Sequence, residues 1–446
     1  MNKVKLGDCI ELIIDNRGKT PPLAETGYEL IETVSINGSN KYPDYSKITK
    51  FVSEETYNTW FRKGHPTSGD ILISTVGMNI GDVVIMKSNR GSIAQNLIAL
   101  RTNNKLNSDY LYYILTSKNI REKIRSLNIG SAQPSLKVPH LLNIEFYLPN
   151  IEKQSEISKI LNELDEKIEI NTQINQTLEQ IAQTIFKSWF IDFDPVHAKA
   201  NALANGQTLE QAIQAAMAVI SGKNTQELHR LQTANPEQYQ QLWEIAEAFP
   251  SGFSGYKNLG EIPIGWNVLT FKDFISESKE KVGSLEDVPE YSVGNEGIYP
   301  RSEIYNKSLS KTPEKNKVVR IGDLVFGMGS KTLNWGIMND EIGSVSPAYF
   351  VYRIFTNINY IYLNKYIKAK EYDFQNLIKP TSRQGQSVDK EMFLKKEIYV
   401  PKEYLLNIYL NKLKEIDSLV YSYTTEVLIL EQIRDELLPK LLSGEV

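Results

Sequence analysis

Cysteine is almost missing. The 446-residue chain has one, Cys9, so no internal disulfide can form. Histidine is equally scarce: His65, His140, His197 and His229 are scattered, and with one cysteine they give no metal-ligand spacing. No stretch approaches the roughly 18 uncharged apolar residues of a membrane span. The opening MNKVKLGDCIELIIDNRGKT has no apolar run of signal-peptide length. These absences lead to the expectation of a cytoplasmic protein without membrane or metal.

Catalytic motifs are missing too. Arg17-Gly18-Lys19-Thr20 contains the GKT of a phosphate loop, but the loop's first glycine falls on Ile13, and Pro21-Pro22 oppose a continuing helix. Gly327-Met328-Gly329-Ser330 follows a strand-like run without the third glycine of a dinucleotide site. Glu277-Ser278-Lys279 after Asp273 matches a nuclease E-x-K only as short patterns do by chance. There is no Asn/Asp-Pro-Pro-aromatic motif of adenine methyltransferases. No catalytic residue is assigned, and the expectation is a binding role.

Net charge is -4, which argues against a simple DNA binder, but its distribution is uneven. Residues 1–150 hold 18 Lys and Arg against 14 Asp and Glu, and residues 261–400 hold 19 against 18. Residues 151–260 hold 8 against 14, and residues 401–446 hold 5 against 8. Positive charge therefore sits in two blocks separated by acidic ones. Tight DNA binding would need phosphate contacts from a more basic partner.

The chain repeats itself. Gly91-Ser92 recurs as Gly343-Ser344, Arg101 as Arg353, Leu148-Pro149 as Val400-Pro401, and Leu178–Ile181 as Leu430–Ile433, all at an offset of 252 residues. Gly69-Asp70 recurs as Gly322-Asp323, one residue further on. This is a duplicated domain and not a solenoid. In each copy, short apolar runs bounded by Gly, Asn and Ser predict strands: 71–75, 83–87 and 97–101, then 324–328, 335–338 and 349–354. Residues 110–115 and 362–367 predict a short helix in each.

A heptad seam closes each copy. Ile157, Leu161, Leu164, Ile168, Asn171, Asn175, Leu178, Ala182, Ile185 and Trp189 alternate steps of 4 and 3. The same offset gives Tyr409, Leu413, Ile416, Val420, Tyr423, Val427, Leu430, Arg434, Leu437 and Leu441. Sustained heptads predict coiled-coil packing. At 1.5 Å per residue each seam spans about 50 Å, long enough to act as a spacer. Between the copies, 208–222 and 236–249 predict helices, with Thr208 and Gly222 as caps, and 251–266 reads as a Gly/Pro/Ser linker. The expected fold is α+β. Two β-rich domains, 1–150 and 261–400, are each followed by a long helix, in 151–190 and 401–446. The helices pair as an antiparallel coiled coil, a helical insert and linker occupies 191–260, and the whole is an internal pseudo-twofold repeat.

With that plan in view, FIDFDPVHAKA (190–200), LGEIPIGW (259–266), GDILISTVG (69–77), GSAQPSL (130–136) and RDELLPKLLSGEV (434–446) resemble the specificity subunits of type I restriction–modification systems. The resemblance runs along essentially the whole chain. One departure is the start of the first copy, which lacks the Gly265-Trp266 lead-in of the second. The resemblance implies two target-recognition domains, each reading one half of a bipartite, asymmetric site in double-stranded DNA. It implies docking of two adenine-N6 methyltransferase subunits and of restriction subunits. S-adenosylmethionine, ATP and Mg then belong to those partners, with no cofactor in this chain. A specificity subunit serving a fused restriction–methyltransferase enzyme, a coiled-coil adaptor that binds protein, and a nuclease remain as alternatives.

Base reading needs donors and acceptors on loops of a rigid scaffold. The candidates in the first copy are Arg17, Lys19 and Thr20; Arg62 and Lys63; Ser74, Thr75 and Asn79; and Gln133. In the second copy they are Lys279, Lys281, Asn295, Arg301, Lys331, Arg383, Gln384 and Gln386. Trp189, Phe190 and Phe193, with Leu437, Leu438 and Leu441 in the second copy, form apolar clusters expected either to finish a core or to receive the partner subunits.

Overall fold

The computed structural model describes residues 2–36, 40–77, 79–127, 135–294, 297–303, 312–327, 334–380 and 386–443. The chain divides into two compact units, Met1–Asn175 with Tyr421–Val446, and Gln176–Val420. Each long helix contributes part of its length to both.

The first unit is built on a four-stranded antiparallel sheet in the order Ile10–Ile14, Leu97–Thr102, Ile71–Ser74, Val83–Ile85. Its inner strands are apolar on both sides because both sides are covered. Ile71, Ile73, Val83, Ile85, Ile98 and Leu100 face a core completed by Tyr110, Leu111 and Ile114 of the helix Ser108–Thr116. Leu72, Val84, Leu97 and Ala99 face a smaller core with Ile14, Ile31 and Ile93. The period-2 alternation therefore divides the strands between two apolar layers. The helix starts where Asn107 Oδ1 accepts from the Tyr110 amide at 3.0 Å.

The second unit repeats the plan. Its sheet runs Ile275–Glu277, Phe350–Ile354, Leu324–Phe326, Trp335–Ile337. Leu324, Phe326, Trp335, Ile337 and Tyr352 face the larger core, while Val325 and Val351 face a smaller one. Asn359 caps the helix Tyr360–Ala369 as Asn107 caps its counterpart. In both domains the opening strand pairs with the closing one: Asn2–Lys5 with Glu145–Leu148, and Asn267–Thr270 with Glu397–Val400. The repeated Gly-Asp and Arg are the two ends of an ion pair between a buried aspartate and a half-buried arginine. Arg101 Nε and Nη2 donate to Asp70 at 2.9 and 2.8 Å, and Arg353 does the same to Asp323 at 3.0 and 2.9 Å.

The long helices are Ile151–Phe190 and Glu403–Ser443. Every position of both predicted seams is buried or half-buried, whereas Ile160, Ile170 and Ile181 between them are exposed. In the first unit Arg434 pairs with Asp165 at 3.1 Å, Lys167 with Glu426 at 3.4 Å, and Asn175 donates to Thr424 at 3.0 Å. Numbers fall on one helix as they rise on the other, so the pairing is antiparallel. In the second unit the Tyr409 ring packs on Phe186 at 5.7 Å and Phe190 at 5.1 Å. Asn171 is fully buried, with neither side-chain amide atom hydrogen-bonded.

The insert is more structured than expected. Besides the predicted helices, observed at Leu209–Ser221 and Pro236–Glu247, it contains Asp194–Ala204 and Thr225–Ala234. Thr208 forms a capping box with Gln211, and Gly222 ends its helix at φ +67. Lys199 is buried, and its ammonium donates to the carbonyls of Ala246, Glu247 and Phe249, which a helix end leaves open. That burial pushes its pKa down. The 251–266 segment corrects the linker expectation. Phe253–Tyr256 and Gly260–Pro263 form an antiparallel hairpin, and Ile262 and Trp266 are buried in the large core.

Candidate nucleic-acid interface

In the first domain the strand registers bring the candidate loops to one end of the sheet. Ile14 pairs with Ala99, and Ser74 with Leu97. The loops after Ile14, after Ser74 and before Leu97 therefore leave from the same edge. Asn16 clips a further loop to this end. Its buried amide donates to Gly64 O at 3.0 Å and accepts from Lys63 N at 3.2 Å. The 62–65 segment is braced again by His65, which stacks on Tyr57 at 3.7 Å and hydrogen-bonds Ser92 Oγ at 2.9 Å. Burial lowers the His65 pKa, so this ring is a neutral brace and not a phosphate-binding cation.

The individual candidates fare differently. Lys19, Arg62 and Lys63 are exposed, and among the described residues no ion pair engages them. Arg17 is held by Asp15 through a two-point contact at 2.8 and 2.7 Å, and the guanidinium draws the Asp15 carboxyl below its ordinary pKa. Asn79 is exposed. Ser74 and Thr75 are fully buried, so neither side chain is open to a ligand as placed. Instead Thr75 donates to Asn96 O from its amide at 2.8 Å and its hydroxyl at 3.0 Å, and its own carbonyl accepts from Leu136 at 2.8 Å. Val76 and Ser135 form a bridge beside it. The first and third candidate loops and the rim of the fourth thus meet around Thr75 and Asn16, although Gln133 itself lies outside the described residues.

In the second domain Lys279 and Lys281 are exposed and follow the strand equivalent to Ile10–Ile14; since Leu12 pairs with Arg101 as Ser276 pairs with Arg353, they fall at the places of Asp15 and Arg17. Arg301 is half-buried and donates to Ser292 Oγ at 3.1 Å. Gln386 belongs to a two-stranded ladder opposite Pro380. Asn295, Lys331, Arg383 and Gln384 lie outside the described residues. The two carboxylates of the nuclease-like pattern are engaged elsewhere: Asp273 accepts from the Thr270 amide at 2.7 Å, and Glu277 pairs with Lys390 at 2.9 Å.

Of the two expectations for the apolar clusters, the structure shows the first: they finish cores, and the side chains placed for partner docking are not open. Trp189, Phe190 and Phe193 are all under 10% exposed and lie in the core of the second unit. Phe190 meets Tyr362 edge-on at 5.6 Å, Trp189 meets Phe249 at 5.2 Å, and Phe193 meets Trp266 at 5.5 Å. Leu441 is buried, and Leu437 and Leu438 are half-buried, against the core of the first unit. These side chains are used up internally. The exposed apolar residues of the second long helix are others, among them Tyr421, Leu428, Ile429 and Ile433.

Sequence reasoning missed Gln95 and Asn96. Both are exposed, between the loops just described. Gln95 has φ 54, in the left-handed region, and its amide donates to Thr20 Oγ1. The only sequence signal was their place ahead of the strand 97–101.

Among the described residues no helix is long and apolar enough to cross a membrane, and no group of three or more His, Cys, Asp or Glu is placed to hold a metal. The family model of the type I restriction modification DNA specificity domain matches residues 1–180. The type I restriction enzyme HindI specificity subunit of Haemophilus influenzae is 31% identical over 408 residues, covering 85% of this chain and 86% of that protein. The MjaIX specificity subunit of Methanocaldococcus jannaschii is 24% identical over 342 residues, covering 76% and 69%. The crystal structure of a type I restriction–modification S subunit from M. genitalium aligns over 99% of this chain and 95% of that one, at 15% identity and a TM-score of 0.47. The chain belongs to the specificity subunits of type I restriction–modification systems.

Proposed function

We propose that this chain is the DNA-reading subunit of its complex and carries out no chemistry itself. Each domain reads one half of a bipartite, asymmetric site, and the paired long helices are the spacer. The observation that carries this reading is the repetition of one scaffold with different loops. The same four-stranded order, the same Asp–Arg pair and the same capped helix recur. At the same sheet end, however, one copy offers Lys19 and Gln95 and the other Lys279 and Lys281. A constant frame with changed tips suits two readers of different sequence.

Two adenine-N6 methyltransferase subunits and the restriction subunits are the proposed partners. S-adenosylmethionine, ATP and Mg are proposed to reside in them. Exposed Tyr421, Leu428, Ile429 and Ile433 replace the buried aromatics as the docking candidates.

Mapping N6-methyladenine across the source genome with and without this gene tests the reading. Loss of one gapped motif is expected. An unchanged methylome, with the neighbouring methyltransferase expressed, would instead leave a coiled-coil adaptor as the better account.

A further inference from the structure

We infer that Gln95, supported by Asn96, is a base-reading residue of the first domain and takes an adenine in the major groove. The inference rests on the proposed function and deepens it. Three observations converge.

The first is conformation. A glutamine at φ 54 sits in the left-handed region where glycine is favoured and a side chain is strained. Such strain persists only where the surroundings over-determine it. Here the Asn96 carbonyl accepts twice from Thr75, and strand Leu97–Thr102 follows at once in the sheet centre. The tip is therefore held on a rigid base. The second is accessibility. Gln95 packs in neither core yet keeps a long polar side chain, and Thr20 holds one end of its amide. The carboxamide Oε1 and the second Nε2 proton are left over, which is the donor–acceptor pair that matches adenine N6 and N7. The third is setting. Exposed Lys19, Arg62 and Lys63 come from the loops gathered at the same sheet end. Phosphate contacts of that kind fix register, while a neutral amide between them supplies sequence information. The equivalent residues in the second domain are Pro347 and Ala348, which offer no side-chain donor or acceptor. The two domains thus differ at this tip in the way an asymmetric site requires.

The test uses the full chain co-expressed with its methyltransferase subunit, reading the methylated motif and the methylation rate on duplexes with single-base changes. Gln95→Ala and Gln95→Gly are compared with wild type. Both are expected to relax one position in one half-site, lowering discrimination there by about 5- to 150-fold, while the other half-site stays fixed. Gln95→Gly relieves the backbone strain, so a merely structural role would leave its motif intact. An unchanged motif in both variants, with wild type marking its gapped site, overturns the inference alone. A wild-type complex that marks no gapped site overturns the function beneath it.

Discussion

Removing the Asp70 carboxylate should destabilise the first unit more than removing Asp323 destabilises the second. The Asp70 side chain is 2% exposed, and that of Arg101 is 31% exposed. Asp70 also accepts from Thr67 N at 2.7 Å. Asp70→Ala takes both partners from Arg101 Nε and Nη2, apart from the Thr67 hydroxyl at 2.7 Å, and leaves a turn amide unpaired. A charged hydrogen-bonded pair contributes about 1.5–3 kcal/mol, taken at its lower end because Arg101 still reaches water. The lost amide bond adds about 1 kcal/mol. The expected loss is about 2.5 kcal/mol. Arg353 has a second anchor, since Nη1 donates to Glu280 at 2.9 Å. Asp323→Ala likewise frees a turn amide, that of Arg320, which donates to Asp323 at 2.9 Å, but it leaves the guanidinium paired with Glu280 and should cost about 1.5 kcal/mol. Urea unfolding followed by hydrogen exchange, which separates the two units, measures both. Equal losses, or less than about 1 kcal/mol for Asp70→Ala, would show that the pair is not what holds the repeated turn to the sheet.

Alkaline pH should unfold the protein through its buried tyrosines. Burial pushes the Tyr110 and Tyr352 phenols up to about 12, whereas unfolded tyrosine ionises near about 10. The unfolded chain releases these protons first. The stability they confer is therefore present below pH of about 10 and is lost as pH rises towards about 12. Far-ultraviolet circular dichroism and tyrosinate absorbance should change together; full ionisation in a still-folded protein would refute the linkage. Asn171→Leu should stabilise the helix pair by about 1–2 kcal/mol, because the buried amide has no partner to lose. That is roughly 2–4 °C per kcal/mol in a unit of this size. A lowered melting temperature would mean that the amide is satisfied in solution.

The frame was far more legible in the sequence than the site. Both seams were readable because burial at heptad positions is imposed locally, by helix geometry. The six predicted strands were readable because apolar runs between turn residues must lie in a covered sheet. The roles of Trp189, Phe190 and Phe193 were not readable. An aromatic cluster at a helix end has the same pattern whether it meets a partner or Tyr362, Phe249 and Trp266 of its own chain. Ser74 and Thr75 looked like loop readers because polarity is visible in a sequence and burial is not. Gln95 was missed for the opposite reason: its place is set by the bond from Thr75 to the neighbouring Asn96 carbonyl and by its own bond to Thr20, contacts between segments far apart in the sequence.

The short ladders that join the first and last strands of each domain have a genetic consequence. Asn2–Lys5 lies beside Glu145–Leu148, and Asn267–Thr270 beside Glu397–Val400. Each β-rich domain is thus closed by its own first and last strands, as a plug is by its two pins. Recombination with both breakpoints in such a ladder delivers a foreign domain without moving the start of the helix that follows. Under the proposed function, such an exchange would replace one half of the target and leave the proposed partner enzymes unchanged.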